Sequence, residues 1–102
     1  MIVAEIGINH EGSEKRANTM LKALLETSID AVTFQIPTIA YLDGTEKKRR
    51  PLSRKFYQKA IVQAHLAKKL IGFACCDIEH ICFLDNKVVG SILSKPSDLI
   101  IL

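Results

Sequence analysis

Short, strongly apolar runs alternate along this chain with longer segments of helical periodicity, and this alternation constrains the fold more than any other feature. Residues 2–8 form a near-continuous apolar run that contains a single charge, as expected of a strand covered on both faces. No linker rich in Ser, Gly or Pro interrupts the pattern. The alternation predicts one α/β domain over residues 1–102, in which helices join parallel strands.

The first helical segment follows the loop after residue 8. Ser13 is the predicted N-cap, and Glu14 lies where the helix dipole favours an anion. An apolar stripe of helical spacing follows. It consists of Ala17, Met20, Leu21, Leu24 and Leu25.

The second helical segment begins with a hydrophobic staple, in which Leu52 precedes the cap Ser53 and Tyr57 follows it. The pattern predicts a helix that runs to Lys69, with lysines at its C-terminus. Its core stripe consists of Phe56, Ala60, Ile61, Ala64 and Ala67.

The remaining segments complete an alternating order of about four strands and three helices. The predicted strands are residues 2–8, 31–35, 70–75 and 88–94, with a long loop at 38–50 and a short third helix at 77–86. Helices joining such apolar strands make a parallel sheet. Chemistry in such sheets gathers at the carboxyl ends of the strands.

Glu5 is the first candidate at those strand ends, because a carboxylate within an apolar run is costly unless a cation, a metal or a hydrogen-bond donor meets it. The alternative is an ion pair with a basic side chain on a neighbouring strand. Asn9 and His10 open the loop that follows, where contact with a substrate and a capping or turn role are both open.

Charge and cysteine usage exclude several classes of function. The chain has 14 Lys and Arg against 11 Asp and Glu, a formal charge of +3, which is too mild to indicate a polyanion partner. A basic run at residues 47–55 contains no aromatic platform for bases until Phe56, so a solvated loop is favoured over nucleic-acid binding. Cys75, Cys76 and Cys82 lack C-x-x-C spacing and are interpreted as buried reduced thiols without zinc or disulfides.

The longest apolar runs, such as residues 71–76 and 99–102, are far shorter than the roughly 20 residues of a membrane-spanning helix. Glu5 also interrupts the amino-terminal run before a secretory signal can form. We therefore expect a cytoplasmic protein without a membrane partner.

The segment A-E-I-G-I-N-H-E-G-S at residues 4–13 resembles the opening strand and loop of the sialic acid (N-acetylneuraminate) synthase family. A-V-T-F-Q at residues 31–35 resembles the family's second strand, which usually reads A-V-K-F-Q. Weaker similarity extends through residues 52–53 and 72–73 to residues 83–99. The family's catalytic domain is a (β/α)8 barrel, and such a barrel takes about 250 residues. The resemblance therefore implies that these 102 residues correspond to the first half of a TIM barrel.

The family condenses phosphoenolpyruvate with N-acetylmannosamine or a related N-acetylated hexosamine, and it uses a divalent metal, Mn²⁺ or Mg²⁺. By resemblance, Glu5 is the glutamate beside the metal and the reacting sugar carbonyl. Gln35 matches a polar residue near the phosphoenolpyruvate site, and Asp98 matches the acidic residue after strand four. Asn9, at the start of the first loop, is a further candidate for substrate binding.

The sequence departs from the family pattern where positive charge is needed. Thr33 replaces the second-strand lysine that holds the carboxylate or phosphate of phosphoenolpyruvate, and it is counted with the substrate-binding positions. Leu93 matches a second lysine, and Lys95 takes that place only if the register shifts, because positions i and i+2 share a strand face.

The family's two metal-binding histidines come from the second half of its barrel, so the resemblance places no direct metal ligand in this chain. We expect the isolated chain to be inactive as an enzyme. The alternative is a degenerate half-barrel that acts as an assembly or regulatory module. In either case, four parallel strands cannot close, which predicts a homo-oligomer or a complementing half-barrel as partner.

Overall fold

The computed structural model describes residues 1–37, 50–75 and 99–101 of the chain, the last range as backbone only. Strands and helices alternate within these ranges. They are β1 (Val3–Gly7), α1 (Glu14–Leu25), β2 (Ala31–Ile36), α2 (Arg54–Leu66), β3 (Leu70–Cys75) and β4 (Leu99–Ile101).

The described strands form one parallel sheet in the order β1-β2-β3-β4. Each strand therefore lies beside its neighbour in sequence, as successive β/α units do in a barrel. In doubly wound sheets, by contrast, the strand order reverses at a switch point. The predicted fold class is confirmed: the chain is α/β, with parallel β/α units like those of a partial TIM barrel.

Both helices pack on the same face of the sheet, and a single core lies between the helices and the sheet. From α1 it takes Ala17 and Leu21, and from α2 it takes five buried side chains, Phe56, Tyr57, Ala60, Ile61 and Ala64. Phe34 of β2 is fully buried at its centre. The Phe34 ring meets the rings of Phe56, Tyr57 and Phe73 at centroid distances of 6.0, 5.9 and 6.1 Å. The predicted apolar stripes thus face the sheet.

The predicted N-caps are confirmed. The side chains of Ser13 and Ser53 each accept a hydrogen bond of 3.1 Å from the third backbone N–H after the cap. The staple at the start of α2 is also present, since Leu52 and Tyr57 are both buried and the backbone N–H of Leu52 donates to the Tyr57 hydroxyl over 3.0 Å.

Helix α2 ends at Leu66, three residues before the predicted end. The reason is a left-handed turn, because Lys68 has a φ of +59°. The Lys69 N–H then reaches back to the Ala64 carbonyl over 2.9 Å, which satisfies a helix-end acceptor in the manner of a Schellman turn. Ala67, predicted in the core stripe, is half-buried at the cap position.

Asp30 links three strands by hydrogen bonds at the amino-terminal end of the sheet. Its backbone N–H donates to the Ile2 carbonyl over 2.8 Å, and its own carbonyl accepts from Leu70 N–H over 2.9 Å. Its carboxylate also accepts from Ile2 N–H over 2.6 Å. The residues at the starts of β1 and β3 thus both form hydrogen bonds with Asp30, the residue before β2.

The strand that pairs with β3 in the described residues is Leu99–Ile101, a segment that the sequence patterns did not predict as a strand. The predicted loop at 38–50 lies outside the described residues except for Arg50, and so do the predicted helix at 77–86 and the predicted strand at 88–94.

Cys75 forms no disulfide within the described residues and packs, partly buried, against the core, while Cys76 and Cys82 lie outside the described residues. Among the described residues, no helix has the length and apolar character to cross a membrane.

Candidate functional site

The sheet face turned away from the helices carries the candidate residues. Along β2, Val32, Phe34 and Ile36 belong to the helix-covered core, so Thr33 and Gln35 lie on the opposite face. We call this opposite face the open face, because no described element packs on it. Its positions on the three long strands are Val3, Glu5, Gly7, Ala31, Thr33, Gln35, Leu70, Gly72 and Ala74.

Glu5 and Thr33 are partners across the β1–β2 ladder, and the Thr33 hydroxyl donates a hydrogen bond to the Glu5 carboxylate. Thr33 is 4% exposed, whereas Glu5 is exposed. The expectation of a buried carboxylate was therefore wrong, because β1 is an edge strand of the described sheet and its outer side meets solvent. Among the described residues the partner of Glu5 is a hydroxyl and not a basic side chain.

A β-bulge in β1 brings Gln35 toward the same carboxylate. Thr33 pairs with Glu5 but Phe34 pairs with Gly7, so Ile6 is the extra residue of β1. Gly7 has a φ of +58°, a conformation that favours glycine. A Cβ there would lie 2.9 Å from Glu5 Oε1 and 3.7 Å from Gln35 Oε1, so Gly7 leaves open the space between these two side chains.

Gly7 is a position of the candidate site that sequence reasoning missed. A signal was present, since a glycine inside an otherwise apolar strand often marks a bulge or a close approach. Its effect here is to let a carboxylate, a hydroxyl and an amide converge at the carboxyl end of β1 and β2.

This cluster, Glu5, Thr33 and Gln35, offers hydrogen-bond acceptors and donors together with one negative charge. The described positions of the open face contain no cation, so the cluster suits a ligand rich in hydroxyl or amide groups better than an anion. The described residues hold no group of three or more His, Cys, Asp or Glu side chains suited to a metal ion. Glu5 contributes a single carboxylate, so these residues do not fit the divalent metal that the resemblance implies.

His10 is fully buried in the loop after β1. Its Nδ1 accepts from the backbone N–H of Gly12 over 3.0 Å, and burial lowers the pKa of the imidazole below its usual value. The proton of the neutral ring therefore lies on Nε2, which has no hydrogen-bond partner among the described residues. The turn role of His10 is confirmed, and its contact with a substrate stays a hypothesis.

The other candidates are not brought to this cluster by any described contact. Asn9 is exposed, and its backbone N–H donates to the Ile6 carbonyl over 2.9 Å, which places it in a turn. Lys95 and Asp98 lie outside the described residues. Strand β4 begins one residue after Asp98. The roles assigned to all of these residues stay predictions.

The sequence matches no protein-family model and has no significant match among curated proteins. Its structure is similar to the crystal structure of N-acetylneuraminic acid (sialic acid) synthetase from Leptospira borgpetersenii serovar Hardjo-bovis in complex with citrate, with a TM-score of 0.71 at 18% sequence identity. The match covers 84% of this chain and 32% of that chain. The chain thus shares a fold with about a third of the synthetase, which indicates a distant structural relationship.

Proposed function

We propose that this chain forms the first β/α units of a sialic acid synthase-like barrel, whose family reaction joins phosphoenolpyruvate to N-acetylmannosamine or a related sugar. The observation that carries the proposal is the convergence of Glu5, Thr33 and Gln35 around Gly7 on the open face. In a closed barrel that face lines the interior, and its carboxyl end is where barrel enzymes place their chemistry. The structural likeness to a sialic acid synthetase supports the same assignment.

In the family reaction, C3 of phosphoenolpyruvate attacks the aldehyde carbon of the open-chain sugar, and the aldehyde oxygen takes up a proton. Water then adds to C2, and the resulting tetrahedral carbon expels phosphate to leave a ketone. The Glu5 carboxylate accepts a hydrogen bond from the sugar or from the water beside its carbonyl. The Thr33 hydroxyl orients that carboxylate by donating to it. Gln35, with both a donor and an acceptor, contacts substrate at the adjoining position.

The same geometry accounts for the proposed inactivity of the isolated chain. Phosphoenolpyruvate carries a phosphate and a carboxylate, and holding it needs positive charge. Thr33 has none, and Lys95 takes over this task only if it reaches the cluster. Asp98 and Asn9 complete the proposed substrate contacts, and the divalent metal takes its ligands from outside this chain.

A chimera tests this proposal. In it, the chain replaces the matching third of the Leptospira synthetase, and phosphate release from phosphoenolpyruvate is measured with N-acetylmannosamine and Mn²⁺. We expect no release from the chimera, gain of release with Thr33→Lys, and none with Thr33→Met, which adds bulk without charge. Adding Glu5→Gln to the lysine variant should abolish the gained activity.

Two results would contradict different parts of the proposal. Sugar-dependent phosphate release by the unmodified chimera, or by the isolated chain, would contradict the proposed inactivity, because it would show that Thr33 does not block the reaction. Failure of the lysine variant to gain activity, in a chimera that melts cooperatively and binds Mn²⁺, would separate this chain from the family reaction.

A non-catalytic half-barrel is the second candidate, and the exposed edge of the sheet favours it. Strand β1 pairs only with β2 among the described strands, and Val3 is 47% exposed on the open face. Unpaired edges promote association with another chain, so this module would act as a homo-oligomer or with a complementing half-barrel. A monomer of 11.4 kDa with cooperative melting, measured by light scattering and calorimetry, would argue against it.

A further inference from the structure

The loop between β1 and α1 ends in a turn with left-handed backbone. The Ser13 N–H donates to the His10 carbonyl over 3.0 Å and closes this turn. The two residues inside it, Glu11 and Gly12, have φ values of +55° and +79°. Two successive positive φ values are typical of a type I′ turn, which favours Gly, Asn and Asp. A glutamate is disfavoured in this conformation, so the turn needs other contacts to hold it.

The side chain of His10 supplies such a contact. Its Nδ1 accepts a hydrogen bond from the Gly12 N–H over 3.0 Å. The pattern is that of an Asx turn, in which a side-chain acceptor binds the N–H two residues further on. The imidazole is fully buried, and it packs tilted against the Phe34 ring at a centroid distance of 6.4 Å. Packing of His10 on the core therefore fixes the shape of the turn.

This hydrogen bond uses the only basic atom of the ring. A neutral imidazole has one N–H and one nitrogen with a free lone pair, and in His10 the Gly12 N–H occupies the lone pair of Nδ1. A proton that enters the ring must therefore bind at Nδ1. It converts the acceptor into a donor that faces another donor, so protonation breaks the contact.

The charged groups around His10 do not remove this conflict. Glu11 lies beside it in the loop, and Lys15 and Arg16 of α1 line the same surface hollow. The Glu11 carboxylate lies 3.7 Å from the Arg16 guanidinium, and no described carboxylate hydrogen-bonds the imidazole. The described side chains of β1 and β2 in the core on this side of the sheet are apolar. Burial accordingly lowers the pKa of His10.

We infer that the β1–α1 loop is a pH-operated switch, in which a proton on Nδ1 of His10 releases the Gly12 N–H and opens the turn over residues 10–13. In the closed form, the hydrogen bond to His10 holds Glu11 in its left-handed conformation. In the open form, Glu11 returns to a negative φ, and the imidazolium and the Gly12 amide both reach water. The switch depends on the hydrogen bonds of the loop itself and not on the proposed function.

NMR of the ¹⁵N-labelled 102-residue chain between about pH 4.5 and 8 tests this inference. In the neutral ring of His10 we expect the proton on Nε2, and at low pH we expect both ring nitrogens to be protonated. Across that step, the protection of the Gly12 amide against hydrogen exchange should fall about tenfold. The control is the Phe56 amide, which donates to the hydroxyl of Ser53 over 3.1 Å and should keep its protection.

Variants of His10 separate the acceptor from the proton. His10→Asn keeps an acceptor for the N–H two residues further on and does not titrate, so the Gly12 amide should stay protected at every pH. His10→Leu is apolar and has no acceptor, so the Gly12 amide should be poorly protected at every pH. Thermal melting checks that both variants fold, and the measurements on the unmodified chain test the inference without them.

Glu11→Gly tests the part of the switch that lies in the backbone. Glycine adopts a positive φ readily, so the closed turn is favoured and the midpoint of the His10 titration should fall by up to about one pH unit. Glu11→Gln removes the same charge but keeps the backbone conflict, and it should lower the midpoint less. Equal midpoints in the two variants would contradict the inference.

Four further results would overturn it. One is a neutral ring of His10 with its proton on Nδ1, and another is unchanged protection of the Gly12 amide while His10 titrates. The third is the same pH response in His10→Asn, which would assign the response to other groups. The fourth is unfolding of the whole chain before His10 takes up a proton.

Discussion

The two faces of β2 differ in what their side chains do, although they alternate along one six-residue strand. Val32, Phe34 and Ile36 point into the core, where all three are fully buried. Thr33 and Gln35 point to the open face, where one donates to Glu5 and the other adjoins Gly7. The covered face supplies the packed core of the fold, while the open face carries polar groups whose loss we expect to cost little stability.

The largest effect is expected on the covered face. Phe34→Ala removes the ring against which four other aromatic rings pack, and we expect a loss of about 3–5 kcal/mol in the free energy of unfolding. Urea denaturation measures it. Gln35→Ala, one residue away and exposed, should change the same quantity by less than about 0.5 kcal/mol. Similar losses in both variants would contradict the division between the faces.

Gly7→Ala should have the next largest effect, because it strains the backbone and crowds the cluster. A residue with a side chain at a φ of +58° costs about 1–2 kcal/mol, and the added Cβ would lie 2.9 Å from Glu5 Oε1. Gly12→Ala is the matched control, since Gly12 has a φ of +79°. Calorimetry should show similar losses for the two variants, because Glu5 Oε1 is the far end of an exposed side chain that can give way; a clearly greater loss for Gly7→Ala would mean that Glu5 is held firmly beside Gly7.

His10 should make stability depend on pH. Burial lowers the pKa of His10 in the folded protein, while an unfolded histidine titrates near about 6.5. As pH falls, the unfolded chain therefore binds a proton at His10 before the folded protein does. The contribution of neutral His10 to the free energy of unfolding is thus complete above about pH 6.5, and it is lost as pH drops toward the pKa of the folded state.

Urea midpoints between pH 5 and 8 measure the effect. His10→Gln should flatten the profile in that window. A slope that persists unchanged in the variant would assign the pH dependence to other groups.

Thr33→Val should have only a small effect on stability. It keeps the shape of the side chain and removes the hydroxyl that donates to Glu5. Because Glu5 is exposed and can bind water instead, we expect a loss below about 1 kcal/mol by urea denaturation. A loss as large as that of Phe34→Ala would show that the open face also stabilises the fold.

The covered face was largely predictable from the sequence because it depends on periodicity. The stripe in α1, the caps Ser13 and Ser53, and the bounds of β3 follow from local rules that tertiary structure did not override. The end of α2 was harder to predict from the sequence, because it is set by the left-handed turn at Lys68. The short strand Leu99–Ile101 was not predicted, because three apolar residues carry little local signal and pairing with β3 is what defines them as a strand.

The open face was only partly predictable. Glu5, Thr33 and Gln35 were identified from motif resemblance, and the structure places them together. Their geometry was not accessible from the sequence, since it depends on a one-residue shift in the β1–β2 register that moves Gly7 beside Glu5. The exposure of Glu5 was also missed, because an apolar run indicates burial but does not reveal which strand lies at an edge.

The hydrogen bonds of Asp30 bear on how this architecture could be altered. They fix the relative positions of three strands at the amino-terminal end of the sheet, whereas the loop from β1 to α1 leaves from the carboxyl-terminal end. The hydrogen bonds that fix the strand register thereby lie at the opposite end of the sheet from the β1–α1 loop. Loops of new length and composition could be grafted at the carboxyl-terminal end of the sheet while the strands stay aligned. The Asp30 hydrogen bonds at the amino-terminal end would hold the strands in register during such a redesign of the site.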